Sequence, residues 1–181
     1  GNFHGEPIGF VADFMKIAVA ELAAISERRT FRLVDVNLNH GLPAMLVDSE
    51  EEAGLNSGYM MPQYTAASLV LENQTLANPD SIHSLPTSAS QEDHNANSMT
   101  AARHARQVVE NARKVLAIEM LCAARAIELR LSQVRDSKLG SGSRKAFETI
   151  RAAVPPSRGD QYWQPHIKAI EEIITNREFD I

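Results

Sequence analysis

The chain has 181 residues, 44% hydrophobic and 23% charged, which is enough for one domain with a real core. A net charge of −5 gives no basic footprint for nucleic acid. The single cysteine, Cys122, excludes an internal disulfide and suits a reducing compartment. No window approaches the roughly 18 uninterrupted apolar residues of a membrane span, and no basic-then-apolar leader opens the chain, so the expectation is a cytoplasmic protein without a membrane partner.

After Pro7, a good first-turn residue, Val11, Phe14, Ala18, Leu22 and Ile25 recur at three- and four-residue steps. They predict a helix to about Arg28 or Arg29 whose other side carries Asp13, Lys16, Glu21 and Glu27. Phe10, Met15, Ile17 and Val19 widen the apolar arc beyond one stripe, so more than one face is expected to be covered. From Thr30 to Gly54 the pattern breaks at Asn37, Asn39, Gly41 and Pro43, and Asp48 to Glu52 reads as an acidic solvated loop. A second helix is predicted over 54–78, with Tyr64, Ala67, Leu71 and Thr75 in register and Pro62 near its start.

Asn78-Pro79-Asp80 opens a loop to about Asn97, long enough to suggest function. From Met99 to about Val134 there is no Gly or Pro, which predicts a helix about 50 Å long. Val108, Ala112, Val115, Cys122, Ala126 and Leu129 form one apolar line on it, interrupted by Glu119. Val109, Leu116, Met120, Ala123 and Ile127 form a second line. Such a helix needs more cover than a 181-residue monomer supplies, which implies an all-α, long-helix bundle completed by other chains. Gly140-Ser141-Gly142 reads as a flexible joint, followed by shorter helices at about Ser143 to Ala153 and Pro165 to Thr175. The domain expectation is therefore a helical bundle over 1–139 and a C-terminal helical segment over 140–181.

Six histidines invite a metal, but none forms an HxxxH or HExxH pair, so no metal site is expected. Gly140 to Lys145 lacks the spacing of a phosphate loop. Cys122 reads as a small buried hydrophobe without a nearby helper. Two short segments set acids beside histidine: Gly1-Asn2-Phe3-His4-Gly5-Glu6-Pro7 and Gln91-Glu92-Asp93-His94. In the second, Glu92 or Asp93 serves either the dipole of the long helix or a cleft where a carboxylate binds a substrate ring or moves a proton. The first is either a capping segment or part of such a cleft.

These two segments resemble the aromatic amino-acid ammonia-lyases, most closely the histidine ammonia-lyases. So do Ile25-Ser26-Glu27-Arg28-Arg29, Gly41-Leu42-Pro43-Ala44 and Gly54 to Met60. Gln63 to Ala67, Leu85-Pro86-Thr87-Ser88-Ala89 and Val115 to Glu119 follow in the family's order. The resemblance runs from Gly1 to about Leu131 and fades over the last 50 residues. It departs at His83 and Ser90, where an aspartate and an asparagine are expected, and at Asn95-Ala96-Asn97 in place of Val-Ser-Met.

The resemblance implies an all-α homotetramer with sites shared between subunits. It implies non-oxidative loss of ammonia, here from L-histidine to give trans-urocanate. The electrophile would be a methylidene-imidazolone formed from an Ala-Ser-Gly tripeptide, and that tripeptide is absent here, since Gln91 follows Ala89-Ser90. The chain is thus expected to be the C-terminal portion of such an enzyme, inactive alone and partnered by its N-terminal half. Residue by residue, the resemblance gives Glu92 as the acid facing the substrate ring and Phe3 as a pocket wall. Met60, Ser88 and Gln91 fall near the cleft, with His4 and Glu6 supporting it. A tyrosine ammonia-lyase or aminomutase shares both acid–histidine segments and is the alternative enzyme. A non-catalytic helical assembly module is the alternative of another class.

Overall fold

The computed structural model describes residues 3–134 and 138–179. Among them are five α-helices and no β-strand: α1 (Glu6–Val34), α2 (Met60–Leu76), α3 (Ser98–Gln133), α4 (Ser141–Ala153) and α5 (Gln164–Asn176). Short 3-10 turns lie at Ala44–Leu46, Glu50–Glu52 and Ser88–Ser90. The all-α expectation therefore holds. None of these helices is long and apolar enough to cross a membrane. Two compact units divide the chain, Gly1–Ala24 with Leu69–Ala112 and Ile25–Ser68 with Arg113–Ile181. Helices α1, α2 and α3 contribute residues to both.

Helix α3 behaves as its sequence predicts. Val108, Ala112, Val115, Cys122, Ala126 and Leu129 are all buried, joined by Ala101, Ala105, Ile118 and Leu121. The second line, Val109, Leu116, Met120, Ala123 and Ile127, is half-buried throughout. Glu119 interrupts the pattern because it has work elsewhere, accepting hydrogen bonds from Ser26 Oγ at 2.6 Å and from Arg29 Nη2 at 2.8 Å. Burial of each large aliphatic on this face contributes roughly 1.5–3 kcal/mol.

Helix α1 reverses its predicted faces. Its buried stripe is Ala12, Asp13, Lys16, Ala20 and Ala23, continuing with Ser26, Glu27, Thr30 and Val34 in the second unit. Lys16 is fully buried, whereas Phe14 is 72% exposed and Val11, Leu22 and Ile25 face outward with it. Small side chains let the backbone pack closely, and each buried polar group has a partner, so the stripe needs no large aliphatic. The same displacement occurs in α2. Its buried positions are Pro62, Ala66, Val70 and Asn73, while of the expected line Tyr64, Leu71 and Thr75 are exposed and Ala67 is half-buried.

Helix ends also moved. Helix α1 runs on to Val34, and within it the buried Thr30 hydroxyl is satisfied by the Ser26 carbonyl. Helix α2 starts only at Met60, because Gly54 and Gly58 take positive φ angles that no helix admits. A Cβ on Gly58 would stand 2.4 Å from Met45 O, so this turn requires glycine. Asp48 is not solvated as expected: Arg125 Nη2 reaches it at 2.6 Å and Gly159 N–H donates to it at 2.8 Å. Burial alone would raise the Asp48 carboxyl, but these donors hold it below the usual range. Of the expected joint, only Gly140 lies outside a helix, since Ser141 and Gly142 already belong to α4. Helices α4 and α5 pack together, burying Ile150, Ile170 and Ile173.

Candidate functional site

The site begins with a buried ion on α1. Lys16 Nζ donates to Asn78 O at 2.9 Å and to Asp80 Oδ2, and pairs with Asp13 Oδ1 at 2.7 Å. Those three acceptors match the three protons of an ammonium. Asp13 accepts in turn from the Ser81 and Asp80 N–H groups at 2.9 and 3.2 Å. Burial pushes the Asp13 carboxyl up, yet Lys16 and these N–H groups outweigh it and hold the acid well below the usual carboxylate range. His104 Nδ1 donates to Asp80 Oδ2 at 2.9 Å. The start of the long loop is therefore tied to α1 and α3 by charge.

Two asparagines shape the rest of the loop. Asn97 Nδ2 donates to His83 O at 2.7 Å. Asn95 Nδ2 donates to Leu85 O and Thr87 Oγ1 at 2.8 and 2.9 Å, and its N–H donates to Ser84 Oγ. Thr87 and Glu92 exchange backbone hydrogen bonds at 2.9 and 3.3 Å, closing a turn between them. Inside it Ser88, Ala89 and Ser90 all have positive φ angles, of 53°, 53° and 69°. Three successive non-glycine residues in the left-handed region carry a cost of about 1–2 kcal/mol each, strain of a kind concentrated at functional sites. The turn delivers Glu92 to the entrance of α1.

There His4 Nε2 lies 3.1 Å from Glu92 Oε2, and His4 Nδ1 lies 3.1 Å from His94 O. Ser98 Oγ donates to His4 O at 2.6 Å. Gly5 takes φ +71°, and a Cβ there would stand 3.3 Å from that same Ser98 Oγ. His94 Nε2 is 3.8 Å from Glu6 Oε2, an oxygen that is buried and makes no hydrogen bond. Phe3 and His4 approach with ring centroids 5.3 Å apart at 54°. Phe3, His4, Gly5, Glu6, Glu92, His94 and Ala96 line an open cleft of about 240 Å³.

The expected site residues thus fall in three groups. Phe3, His4, Glu6 and Glu92 share the cleft. Ser88 and Gln91 lie on the turn that carries Glu92, with Gln91 N–H donating to Ser88 O. Met60 opens α2 and belongs to the second unit. Neither Glu92 nor Asp93 enters the first turn of α3, which contains no acid, so the dipole reading does not describe them. Sequence reasoning missed the Lys16 ion, Asn95, Asn97 and Ser98. The three-residue step from Asp13 to Lys16 was the available signal, since it puts opposite charges on one helical face.

An aromatic wall, an acid and an imidazole on an open cleft suit a planar, hydrogen-bonding substrate. Among the described residues no group of three or more His, Cys, Asp or Glu is arranged to hold a metal. Cys122 is fully buried, and burial with Glu119 nearby pushes its thiol up, as befits a core residue. In the second unit a larger open groove of about 520 Å³ is lined by Asp48, Glu128, Arg125 and Arg158 among others. Arg125 is already spent on Asp48, and Glu128 on Arg151 at 2.7 Å, which marks it as a structural ion cluster.

The family model for aromatic amino acid lyases matches residues 1–152. A histidine ammonia-lyase of Symbiobacterium thermophilum is 50% identical over 178 residues, covering 98% of this chain and 34% of the relative. One of Natranaerobius thermophilus is 49% identical over 174 residues, covering 96% of this chain and 33% of the relative. The crystal structure of histidine ammonia-lyase from Trypanosoma cruzi superposes with TM-score 0.89 at 38% identity, over 99% of this chain and 34% of that one. Tyrosine aminomutase from Streptomyces globisporus gives TM-score 0.91 at 35% identity, over 99% and 33%. The chain spans about a third of the length of the curated relatives it matches.

Proposed function

Since the chain belongs to the aromatic amino acid lyase family, we propose that it is the C-terminal portion of a histidine ammonia-lyase, converting L-histidine to trans-urocanate and ammonia. The observation that carries this reading is Glu92, delivered by a strained turn to a cleft it shares with Phe3. A carboxylate is the natural partner of an imidazole ring, through charge-assisted hydrogen bonding. Glu92 orients and polarises that ring, and Phe3 packs against it. His4 and Glu6 support the acid, while Ser88 and Gln91 complete the substrate's surroundings.

In the intact enzyme the amino group would be activated as a leaving group by the electrophilic chemistry of a methylidene-imidazolone, for which these 181 residues hold no Ala-Ser-Gly. The cleft is open, which fits a site completed by other residues. The outward Val11, Phe14 and Leu22 of α1, and Tyr64 and Leu71 of α2, are the surfaces that further subunits of a homotetramer would cover. In this reading residues 1–139 carry the site, 140–181 form an accessory helical segment, and the enzyme is a cytoplasmic one of histidine breakdown.

Substitution Glu92→Gln in the full-length enzyme tests the assignment. Turnover of histidine should fall at least about tenfold, the lower end for an engaged acid–base group. Wild-type turnover in the variant would overturn it. The likeness to a tyrosine aminomutase supports a second reading, in which tyrosine is the substrate. Consumption of tyrosine but not histidine by the wild type would select it.

A further inference from the structure

We propose that His4 is a positioning residue that shares one proton with Glu92, so that this acid can meet the substrate ring as carboxylate or as carboxylic acid without exchange with solvent. The proposal rests on the lyase reading above and deepens its account of Glu92.

The deduction follows from which atoms can donate. A carbonyl oxygen only accepts, so the 3.1 Å contact between His4 Nδ1 and His94 O requires a hydrogen on Nδ1. His4 Nε2 then faces Glu92 Oε2 at 3.1 Å. With no proton between them, two lone pairs would oppose each other at hydrogen-bond distance. One proton therefore lies in this contact, held either as N–H against a carboxylate or as O–H against a neutral imidazole. Moving it breaks the Nε2–H bond and forms the Oε2–H bond. Imidazolium and carboxylate become imidazole and carboxylic acid, net charge is unchanged, and no further reactant is needed.

The surroundings hold the ring in this orientation. Ser98 Oγ fixes the His4 carbonyl at 2.6 Å, and the Phe3 ring lies beside the imidazole, tilted by 54°. The other titratable groups at the cleft are His94 and Glu6, paired at 3.8 Å, and the exposed Asp93 beside Glu92. Glu92 remains 38% exposed, so it can touch substrate while His4 stands behind it.

Amide variants separate proton sharing from plain support. In His4→Asn the amide nitrogen can replace Nδ1 but not reach Glu92, and in His4→Gln it can replace Nε2 as a donor with no proton to transfer. In the full-length enzyme with histidine as substrate, both should lose about tenfold or more in kcat with KM within about threefold. His4→Gln combined with Glu92→Gln should be no worse than Glu92→Gln alone, because the two residues act as one unit. Wild-type kcat in His4→Gln, or losses that multiply in the double variant, would overturn the proposal. A second readout needs no turnover: 15N NMR of histidine-labelled protein, with His4 assigned by its disappearance in His4→Gln. A protonated Nδ1 together with an Nε2 signal displaced from that of a bare imidazole nitrogen supports the proposal, and a bare Nδ1, or an Nε2 at the bare value, overturns it. If wild-type enzyme consumes no amino acid, the lyase reading fails and the NMR signal alone decides the shared proton.

Discussion

Two irregular segments of this chain contain left-handed turns of non-glycine residues, and they support them by opposite means. At Met45 and Leu46, with φ of 53° and 55°, the strain is held by burial: Leu46 is fully enclosed, with Leu42, Val47 and Tyr59 buried around it. Tyr59 is packed against Trp163 at 4.5 Å, and burial pushes its phenol up to about 12. At Ser88, Ala89 and Ser90 none of the turn is buried. Polar clasps from Asn95, Asn97, Asp13 and Lys16 hold that loop instead. A segment that must present an acid to a cleft cannot bury itself, so hydrogen bonds replace hydrophobic cover.

The sharpest break of this contrast is Lys16→Met. Removing the cation leaves the buried Asp13 and the half-buried Asp80 without it, and breaking such a pair costs about 3–5 kcal/mol. Urea unfolding should show the loss, and amide exchange should rise across residues 80–97. Unchanged exchange there would mean that the loop does not depend on the ion. Leu46→Ala should cost about 3 kcal/mol as a cavity in an apolar site. Its effect on exchange should fall on residues 42–59, and a comparable rise over 80–97 would dissolve the distinction between the two segments.

A pH series sharpens it further. The folded Asp13 carboxyl titrates below its unfolded value, so the unfolded chain binds more protons in the window between them. Its stabilisation is complete above the unfolded value of about 4 and is lost as pH falls from there toward the folded value. Wild-type protein should therefore lose more stability between pH 6 and pH 3 than Asp13→Asn does, measured by urea midpoints. The smallest effect is Ala89→Gly, which removes left-handed strain but frees the unfolded chain. A net gain of about 0.5–1 kcal/mol is expected, and a loss would mean the turn is less strained than its φ values indicate.

Much of this was legible in the sequence. The long helix, its buried line from Val108 to Leu129, the loop after Asn78 and the acid–histidine segments could all be read there. What could not be read was which side of α1 faces inward. Hydrophobic periodicity assumes that the core lies on the side of Phe14 and Leu22, whereas this chain buries Ala12, Lys16, Ala20 and Ala23. The same rule displaced the expected stripe of α2 from Val70 to Leu71. Cleft geometry was hidden for another reason. The 88 positions that separate His4 from Glu92 are closed by hydrogen bonds from Asn95, Asn97 and Ser98, residues whose side chains serve many roles.

The three-acceptor cage around Lys16 makes that lysine a counterpart of the calcium ions that knit loops elsewhere, with carboxylates and a carbonyl as its ligands. Because this cation is part of the polypeptide, no chelator can strip it. Because it is buried, added salt screens it weakly. Its cost is interdependence: removing the lysine or either acid alone leaves the remaining charges uncompensated.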